Sequence, residues 1–573
     1  MWCKFCNIET NESACPICGK QTSEDIPIEV YWCDSCKVPV IKQMTDIRKT
    51  TCTCCGREMK YLAKDIRPVF PEERLLMERI LGKEANFYAQ DSVWASTGSK
   101  YYINGKAKNI TKKMYKEANI EQLSKDVVEY KSINTYEYFD QYVERFVEAN
   151  RDRLNYLIDE ATEFVRETAA KFKEENRIIS FSGGKDSTVT ADVVTKALSD
   201  PSIVHIFGNT TLEFPTTLEY AKRFRENHPH AIFQVAQNKE QIFMDMVDVI
   251  GPPARMMRWC CSMFKTGPIT RVLNSMYRNQ QVLTFYGIRK SESVSRSKYN
   301  RVEDSAESVK INKQTVAAPI FFWFDVDIWL YILAEKIDFN DAYRYGYERV
   351  GCWLCPNNND RDIFLASIYM PERSKEWREF LISFAKKIGK PDPEEYIDSG
   401  AWKARQGGNG LPAAQDVKIK FTNCTTEEHA KIYKLSRPFS DELVGMFVPF
   451  GRLAPELGRK LLHETIVVDT RTNVPIISIQ PFKEDGFEYA VKIRTMNVAD
   501  YDALQRKAGY QVRKFNACHR CLKCESVCKA GAITVMADDY FINPDRCVHC
   551  GQCVNQKILR GGCMMDKYLR TKD

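Results

Sequence analysis

Apolar residues in the middle of the chain recur in the order of a strand–helix–strand fold. Arg177–Phe181 is a short apolar run with β-branched residues, a polar turn containing glycine follows it, and apolar residues at helical spacing continue to Leu198. The same pattern predicts a helix at 217–227 and further strands at 203–207, 231–235 and 282–286. This alternation predicts an α/β fold with a doubly wound, mainly parallel sheet, which binds ligands at the carboxyl ends of its strands.

Outside this region the pattern predicts smaller units. Residues 74–82 and 138–174 have helical periodicity, and 87–106 predicts a small hairpin that turns at Asn104-Gly105. A stretch at 386–416 that is rich in glycine, proline and charge predicts a linker, and 465–494 carries three strand-like runs.

Composition is that of an ordinary globular protein, with 44 % hydrophobic and 28 % charged residues among 573. The 83 basic and 76 acidic residues leave a net charge of +7, which permits a nucleic-acid partner without requiring one. No apolar run reaches membrane-spanning length, and the first residues do not resemble a signal peptide. We therefore expect a cytoplasmic protein with no membrane partner.

Cysteine is the outlier in this composition, because most of the 22 cysteines fall into Cys-x-x-Cys clusters. In a chain without a signal peptide, such clusters indicate metal binding and not disulfides. Two complete sets near the N-terminus have the spacing of closed tetrahedral zinc sites, namely Cys3, Cys6, Cys15 and Cys18, then Cys33, Cys36, Cys52 and Cys55. We expect two zinc ions that supply folding energy. Such ribbons either bind nucleic acid or a partner, or act as purely structural clips.

The turn between the first strand and its helix has the composition of a phosphate cradle. Its glycine pair lets backbone N–H groups approach a ligand, and the helix N-terminus adds a positive dipole end. Hydroxyl donors and one lysine complete it, and its spacing differs from that of the Walker A loop. Asp186 is a candidate for holding Mg²⁺ through water. The residues assigned to the phosphates are Ser182, Gly183, Gly184, Lys185, Ser187 and Thr188.

Five stretches, in order, resemble the PP-loop family of N-type ATP pyrophosphatases and the phosphoadenosine-phosphosulfate (PAPS) reductase superfamily. They are FSGGKDST at 181–188, GNTTLEFPTT at 208–217, RWCCSMFK at 258–265, YGIRKSESVSR at 286–296, and PIFFWFDVDIWLYI at 319–332 running into YGYERVGCWLCP at 345–356. The resemblance implies an adenine nucleotide α-hydrolase-like fold that binds ATP and Mg²⁺. It also implies that Lys185, Asp186, Arg289 and Arg296 are catalytic, and that Glu292 helps to bind the nucleotide.

A third cysteine set lies within this region. The adjacent pair Cys260-Cys261 and the distant Cys352-x-x-Cys355 resemble the [4Fe–4S] ligands of plant and bacterial adenylyl-sulfate reductases. Four thiolates suit either an iron–sulfur cluster or zinc. The adjacency of the first pair favours the cluster, and a structural zinc or a buried thiol pair is the alternative.

The C-terminal cysteines follow the run of a two-cluster bacterial ferredoxin, with Lys529 at the usual proline and a longer spacer before the last cysteine. In such ferredoxins the fourth cysteine of each run binds the other cluster. One [4Fe–4S] cluster is then expected on Cys518, Cys521, Cys524 and Cys563, and another on Cys547, Cys550, Cys553 and Cys528. We expect electron transfer, with a structural role as the alternative. The predicted regions are a zinc ribbon (1–22), a second zinc ribbon (28–62), a small mixed linker region that is a candidate for nucleic-acid binding (63–150), the PP-loop domain (151–387), a linker with a small α/β unit (388–510) and the ferredoxin region (511–573).

These features support three functional hypotheses. The first is a PP-loop ATP pyrophosphatase that adenylates a substrate, preferably nucleic acid, for sulfur transfer or reduction with electrons from the iron–sulfur clusters. The second is an adenylyl-sulfate or PAPS reductase supplied by its own ferredoxin region. The third is a non-catalytic, nucleotide-sensing iron–sulfur regulatory protein.

The SGGKDS loop favours the first hypothesis, because it resembles ATP-cleaving members of the family more than the reductases. Those reductases carry a nucleophilic cysteine in a Glu-Cys-Gly-type tail, and Cys424 is the only cysteine between the third set and the ferredoxin run. The first hypothesis implies an adenine nucleotide, tRNA or DNA, a sulfur donor such as a cysteine desulfurase, and an electron donor as partners.

Overall fold

The computed structural model describes residues 1–46, 50–97, 99–130, 136–304, 310–311, 313–555 and 559–571. Its N-terminal part consists of two small antiparallel units, each built around one of the first two cysteine sets. The first unit pairs β1 (Trp2–Cys3) with β2 (Ile8–Glu9). The second has the strand order β4-β3-β5 and comprises β3 (Ile28–Cys33), β4 (Val38–Gln43) and β5 (Lys60–Ala63).

A four-stranded meander follows, where the sequence predicts a hairpin. Its strands are β6 (Arg67–Pro68), β7 (Val93–Ser96), β8 (Lys100–Ile103) and β9 (Lys106–Asn109), paired in that order. The predicted turn at Asn104-Gly105 connects β8 to β9. Three helices complete this part, namely α1 (Pro71–Ile80), α2 (Lys112–Glu117) and α3 (Ile120–Glu129).

The long helical stretch expected at 138–174 is two helices, α4 (Glu137–Ala149) and α5 (Arg151–Ala169). The break falls at Asn150, a buried residue whose side chain bonds to another part of the chain. Its Oδ1 accepts from the N–H of Ile41 at 2.7 Å and its Nδ2 donates to the carbonyl of Pro39 at 3.1 Å. The break therefore fixes the second ribbon against the helices.

The central sheet is α/β and mainly parallel, as the sequence predicts. Its six strands have the order β12-β11-β10-β13-β15-β14, and only β14 runs antiparallel to its neighbour. The strands are β10 (Arg177–Phe181), β11 (Val204–Asn209), β12 (Ile232–Gln237), β13 (Val282–Tyr286), β14 (Val302–Glu303) and β15 (Gln314–Ala317). The helices between them are α6 (Lys185–Leu198), α7 (Pro215–Asn227), α8 (Phe243–Ile250) and α9 (Gly267–Tyr277), and α10 (Asp325–Ala334) follows β15.

The expected linker at 386–416 contains a short helix, and a second sheet follows it. The helices here are α11 (Asp360–Tyr369), α12 (Pro371–Lys387), α13 (Pro393–Asp398), α14 (Asp441–Gly445) and α15 (Tyr501–Asn516). The antiparallel sheet has the order β16-β17-β21-β20-β19-β18. Its strands are β16 (Phe421–Asn423), β17 (Ala430–Leu435), β18 (Arg452–Ala454), β19 (Thr465–Val468), β20 (Pro475–Glu484) and β21 (Phe487–Thr495). The last three are the strands predicted within 465–494.

The C-terminal cysteine region contains α16 (Lys523–Val527), β22 (Ile533–Val535), β23 (Tyr540–Ile542) and α17 (Met564–Leu569). It shares one hydrophobic core with residues of the central α/β region, such as Cys260 and Leu354, and with the antiparallel sheet. A second large core joins the second ribbon to the meander and the parallel sheet. Among the described residues, no helix combines the length and apolar character that a bilayer crossing needs.

Candidate functional site

The phosphate-cradle loop lies at the carboxyl end of the central strand β10, where α6 begins. Gly183 has a φ of +72°, and a Cβ atom there would lie 2.9 Å from the side chain of Thr217. Gly287, which follows β13, packs on the same loop, since a Cβ atom there would lie 2.7 Å from the backbone of Asp186. Glycine at both positions lets the two loops touch, which brings the GIR motif (Gly287-Ile288-Arg289) beside the N-terminus of α6.

Hydroxyl groups of the loop hold its shape. The Ser182 N–H donates to Ser187 Oγ at 3.1 Å, and Ser187 Oγ donates to the Gly184 carbonyl at 2.8 Å. Thr188 donates to the same carbonyl at 3.2 Å and lies 2.8 Å from the hydroxyl of Tyr220. Thr188 is therefore directed into the fold, while Ser182 is exposed at the mouth of the loop.

Four charged residues meet beside this loop. Lys185 Nζ lies 3.0 Å from Asp325 Oδ1 and 3.4 Å from Asp186 Oδ2. Arg289 donates through Nε to Asp186 and through Nη2 to Asp325 at 2.9 Å. Lys185 and Arg289 are 2 % and 4 % exposed, so both cations are held in a medium where electrostatic interactions are strong. Asp325 was not singled out from the sequence, although it lies in the DVD of the fifth stretch.

Asp186 and Lys185 stay ionised although burial disfavours both charges. Burial favours the protonated form of Asp186, but Arg289 and Lys185 outweigh it and lower the pKa of Asp186 to about 2. Burial likewise favours neutral Lys185, but the Asp186 and Asp325 carboxylates raise its pKa above the usual value. Two cations and two carboxylates therefore lie together beside the loop, a set of groups suited to phosphate oxygens and Mg²⁺.

Asp65, at the exit of the second ribbon, caps the helix that carries Asp325. Its two carboxylate oxygens accept from the N–H groups of Asp325 and Val326, each at 2.9 Å. The helix dipole and these two hydrogen bonds favour the carboxylate form, but burial and then the Asp325 charge raise the pKa of Asp65 to about 7. The ribbon region therefore holds one wall of the site, a contact across 260 residues that sequence patterns do not reveal.

Arg296 and Glu292 lie at the outer edge of the site. They form an ion pair with each other, and Arg349 Nη2 lies 2.6 Å from Glu292 Oε1. Arg349 is the exposed member, with 66 % of its side chain accessible. Burial, and then the neighbouring Arg349 charge, lower the pKa of Arg296. The described structure thus brings both predicted arginines near Asp186 but gives them different ion-pair partners.

The third cysteine set adjoins the next strand end. Glu213, in the segment after β11, forms an isolated β-bridge with Cys352, and Thr210 Oγ1 lies 3.5 Å from Cys352 Sγ. Cys260 and Cys261 begin a turn of π-helix at Cys261–Thr266, and Arg258 Nη2 lies 3.5 Å from Cys261 Sγ.

The charges of these cysteines influence one another. A hydrogen bond with Cys260 lowers the pKa of Cys261 to about 5, and Arg258 adds to this effect. The pKa of Cys260 is raised by the same hydrogen bond, by burial and then by the charges of Cys261, Cys352 and Cys355. The two halves of the set, 90 residues apart in the sequence, therefore converge on one place.

The C-terminal cysteines lie in two groups. Burial, and then the Cys518 and Cys524 charges, raise the pKa of Cys563 to about 12, which places Cys563 with the first group despite its longer spacer. The other four line a single cavity, namely Cys528, Cys547, Cys550 and Cys553. Between the groups lies Tyr540, whose buried hydroxyl is close to the Cys524 thiol; burial and then the charges of Cys524 and Cys553 raise its pKa. A buried hydroxyl donor beside thiolates fits a sulfur-rich cofactor.

The first C-terminal group lies against the third cysteine set. Tyr568 on α17 lies near both sites. Burial raises its pKa, and the charges of Cys260 and Cys521 raise it further. Leu522 packs against Gly267, where a Cβ atom would lie 2.7 Å from the Leu522 Cβ. The two cysteine sites are therefore neighbours across a packed interface.

The two ribbon sets are compact enough for a single ion. Distances between Sγ atoms are 3.5 Å for Cys3 and Cys18 and 3.5 Å for Cys33 and Cys55. A tetrahedral zinc site with bonds of about 2.3 Å separates its sulfurs by about 3.8 Å. Among the described residues, only these two sets bring their ligand atoms within 4.8 Å of one another. The other cysteine groups do not meet this distance among the described residues.

Comparison with known proteins relates the parallel-sheet region to one family of protein domains. Residues 176–358 match the model of the phosphoadenosine phosphosulfate reductase domain family. An uncharacterized protein of Methanocaldococcus jannaschii is 32 % identical over 281 residues, which cover 49 % of this chain and 56 % of that protein. A second from the same organism is 29 % identical and is covered to 61 %. The chain thus spans less than two thirds of both relatives.

Two bacterial enzymes are similar to part of the chain. An adenosine 5'-phosphosulfate reductase of Staphylococcus epidermidis is 24 % identical over 187 residues, which cover 32 % of this chain and 71 % of the enzyme. One from Neisseria meningitidis is 32 % identical over 134 residues, with coverages of 23 % and 48 %. Among solved structures, a PAPS reductase of Candida auris matches 36 % of this chain and 96 % of its own, with 16 % identity and a TM-score of 0.28.

Proposed function

We propose that this chain is a PP-loop ATP pyrophosphatase that adenylates a substrate for sulfur transfer or reduction. The carrying observation is the group of Lys185, Asp186, Arg289 and Asp325 around the mouth of the glycine loop. Both cations are buried and fixed before any ligand arrives, which is how a site stabilises charge that develops on transferring phosphoryl oxygens. The match of residues 176–358 to the PAPS reductase domain supports a nucleotide-dependent role in sulfur metabolism.

The proposed reaction begins with ATP on the loop. A substrate oxygen attacks the α-phosphorus, the bond to the β-phosphate oxygen breaks, and pyrophosphate leaves with the electron pair. Loop N–H groups and Lys185 hold the departing pyrophosphate, and Asp186 holds Mg²⁺ through water. A sulfur nucleophile then bonds to the carbon that carries the adenylated oxygen, or two electrons and a proton are added there; in both cases the carbon–oxygen bond breaks and AMP leaves.

The cysteine groups fit the cofactors expected of them. We assign zinc to the two compact ribbon sets, and [4Fe–4S] clusters to the three wider ones, at Cys260 with Cys352 and at the two C-terminal groups. When bound, such clusters supply single electrons at low potential. The packing of Leu522 on Gly267 and the position of Tyr568 hold two of these sites next to each other.

A second candidate is reduction of adenylyl sulfate or PAPS, which the similar adenosine 5'-phosphosulfate reductases favour. That chemistry uses a cysteine thiolate to attack the sulfonate sulfur in the related reductases. Cys424 is the remaining thiol of the C-terminal half outside the proposed cluster ligands, and its neighbours are Thr426 and Lys492 of the antiparallel sheet. Because this position belongs to another sheet, adenylation is preferred.

The deciding experiment uses the anaerobically purified chain. Reduced protein is supplied in turn with ATP, adenylyl sulfate and PAPS, with and without RNA or DNA, and both pyrophosphate and sulfite are measured. Pyrophosphate from ATP that rises with nucleic acid supports the proposal. Sulfite from either sulfonucleotide, formed faster than pyrophosphate, would replace it with the reductase.

A further inference from the structure

One segment of the chain carries an unbalanced positive charge. Residues 92–116 contain six lysines and no acidic residue, although the whole chain has 76 acidic residues. This segment forms the meander from β7 to β9 and most of α2. All four residues of β9, the edge strand, are exposed, and the lysines of α2 are exposed as well. Such a local excess is the electrostatic footprint of a polyanion partner.

An exposed aromatic ring lies beside these lysines. Tyr61 on β5 is 53 % exposed, and its ring meets Tyr31 edge to face at 6.0 Å. Burial and the Glu29 charge raise the pKa of Tyr61, while the nearby Lys100 ammonium lowers it. Lys100 itself sits 5.1 Å from the ring of Tyr102. An exposed ring next to a fixed cation provides a stacking platform beside a phosphate-binding group.

The second ribbon and the meander form one continuous surface at this point. The β8–β9 turn packs on the ribbon, because a Cβ atom on Gly105 would lie 2.5 Å from the Trp32 ring. Asp34 pairs with Lys60 at 2.7 Å and is also within the field of Lys106. We name the group of exposed Lys60, Tyr61 and Lys106 with half-buried Lys100 the Tyr61 surface.

This surface is close to the nucleotide site. Asp65 follows Tyr61 by four residues, so their Cα atoms are at most about 14 Å apart. Asp65 in turn bonds the N–H of Asp325, which pairs with Lys185 and Arg289. A nucleic-acid strand bound at Tyr61 would therefore lie within a few nucleotides of the loop proposed to hold ATP.

We propose that the Tyr61 surface binds single-stranded nucleic acid, with Tyr61 stacking on a base and the lysines on the flanking phosphates. A single strand is required because a base must leave its own stack to lie on a protein ring. The inference rests on the proposed function in that the bound strand is the substrate to be adenylated. RNA and DNA share this chemistry, and the test separates them.

The test measures fluorescence anisotropy of the full chain with a labelled single strand of about 12 nucleotides, a length within the usual site sizes. RNA, DNA of the same sequence, the DNA duplex and heparin as competitor form the arms. Neutralising Lys60, Lys100 and Lys106 to Gln should reduce the slope of log affinity against log salt by about 2, at about 0.7 per phosphate. The matched control neutralises Lys171, Lys173 and Lys222, which are exposed elsewhere, and should leave the slope unchanged.

Tyr61→Ala should weaken binding by about 10–100-fold, the loss of one stacked base, while Tyr61→Phe keeps the affinity. Tighter binding of RNA or of DNA identifies the natural strand. Equal binding by the Tyr61→Ala protein, or heparin competing as well as the strand does, would reduce this surface to a general polyanion contact and overturn the proposal. An unchanged salt slope in the triple variant would do the same.

The same proteins are also assayed for pyrophosphate release, which keeps the two proposals distinguishable. Loss of strand binding in the Tyr61 variants, with ATP cleavage absent from every protein, leaves the surface standing and sinks the pyrophosphatase. Normal nucleic-acid binding by the Tyr61 variants, together with pyrophosphate release by the wild type that nucleic acid stimulates, would support the pyrophosphatase and overturn the proposed Tyr61 surface.

Discussion

Arg271 on α9 donates two hydrogen bonds to the carboxylate of Glu525 on α16, at 3.0 Å from Nε and 2.9 Å from Nη2. The two residues are 254 positions apart, and Glu525 is nearly fully buried. Arg271 also donates to the Val535 carbonyl at 2.6 Å. This fork ties the helix that follows Cys260-Cys261 to the helix that carries Cys524, so it fixes the spacing of two proposed cluster sites.

Arg271→Ala should loosen this connection. It leaves the Glu525 carboxylate buried without its main partner, and because Arg271 is partly exposed we expect a loss of about 1–3 kcal/mol of docking free energy. Limited proteolysis between the antiparallel sheet and α16 should accelerate, while pyrophosphate release stays near the wild-type rate. Formation of the finished, electron-dependent product should fall.

The control for Arg271 is Lys222→Ala, which breaks a solvent-exposed pair with Glu226 on α7. Exposed pairs contribute about 0–1 kcal/mol, so neither proteolysis nor product formation should change. If Arg271→Ala lowers pyrophosphate release as much as product formation, the contact supports the whole fold and not the coupling of two sites.

Asp186→Asn and Ser182→Ala should each lower pyrophosphate release from ATP by about 100–1,000-fold, equivalent to about 3–4 kcal/mol of transition-state stabilisation. Asp186 is the carboxylate that Arg289 and Lys185 hold ionised, and Ser182 opens onto the loop mouth. The measurement is steady-state pyrophosphate release under anaerobic conditions.

Asp192→Asn provides the matched control on the same helix. Asp192 accepts from the Tyr331 hydroxyl at 2.7 Å and pairs with Lys196, away from the loop. Its variant should keep the wild-type rate, and circular dichroism should be unchanged for all three proteins. Wild-type rates in both site variants would remove the loop from the active site.

Metal analysis of anaerobically purified protein should find about twelve iron and about two zinc atoms per chain. Cys352→Ser should remove about four iron atoms, because it takes one ligand from the group that includes Cys260 and Cys261. Cys424→Ser should change neither metal. Zinc in place of that iron, lost on the Cys352 substitution, would identify the third set as a zinc site.

The sequence predicts the strand β13 with the observed bounds, and β10 likewise, because each is a short apolar run between polar turns. It does not predict β14 and β15, which are two and four residues long and too short for a periodicity. They add two strands at one side of the sheet because they pair with a strand already buried there.

Some residues of the candidate site can likewise be predicted from the sequence, and others cannot. The residues of the glycine loop and the GIR motif are visible in the sequence, since their spacing is local. Asp65 and Asp325 are not, because they meet only when the ribbon exit packs on α10. The same holds for Cys563, because its longer spacer leaves its grouping open in the sequence and only the fold brings it near Cys518 and Cys524.

Lys514 offers a final prediction about the proposed clusters. It is 1 % exposed, and its Nζ donates to the Cys553 carbonyl at 2.7 Å and lies 5.7 Å from the Tyr540 ring, between the two C-terminal cysteine groups. A buried positive charge favours the reduced, more negative form of a nearby cluster. For charges about 8 Å apart at an effective dielectric constant of about 20, such an interaction is about 2 kcal/mol, or about 90 mV for one electron. Lys514→Met should therefore lower a reduction potential by on the order of 90 mV in an EPR-monitored titration.

Lys529→Met makes the same charge change next to Cys528 but at an exposed position, where water and salt screen it, and should shift the potential far less. Equal shifts in the two variants would show that burial of Lys514 has no special effect, and no shift in Lys514→Met with both clusters retained would remove its charge from the control of potential.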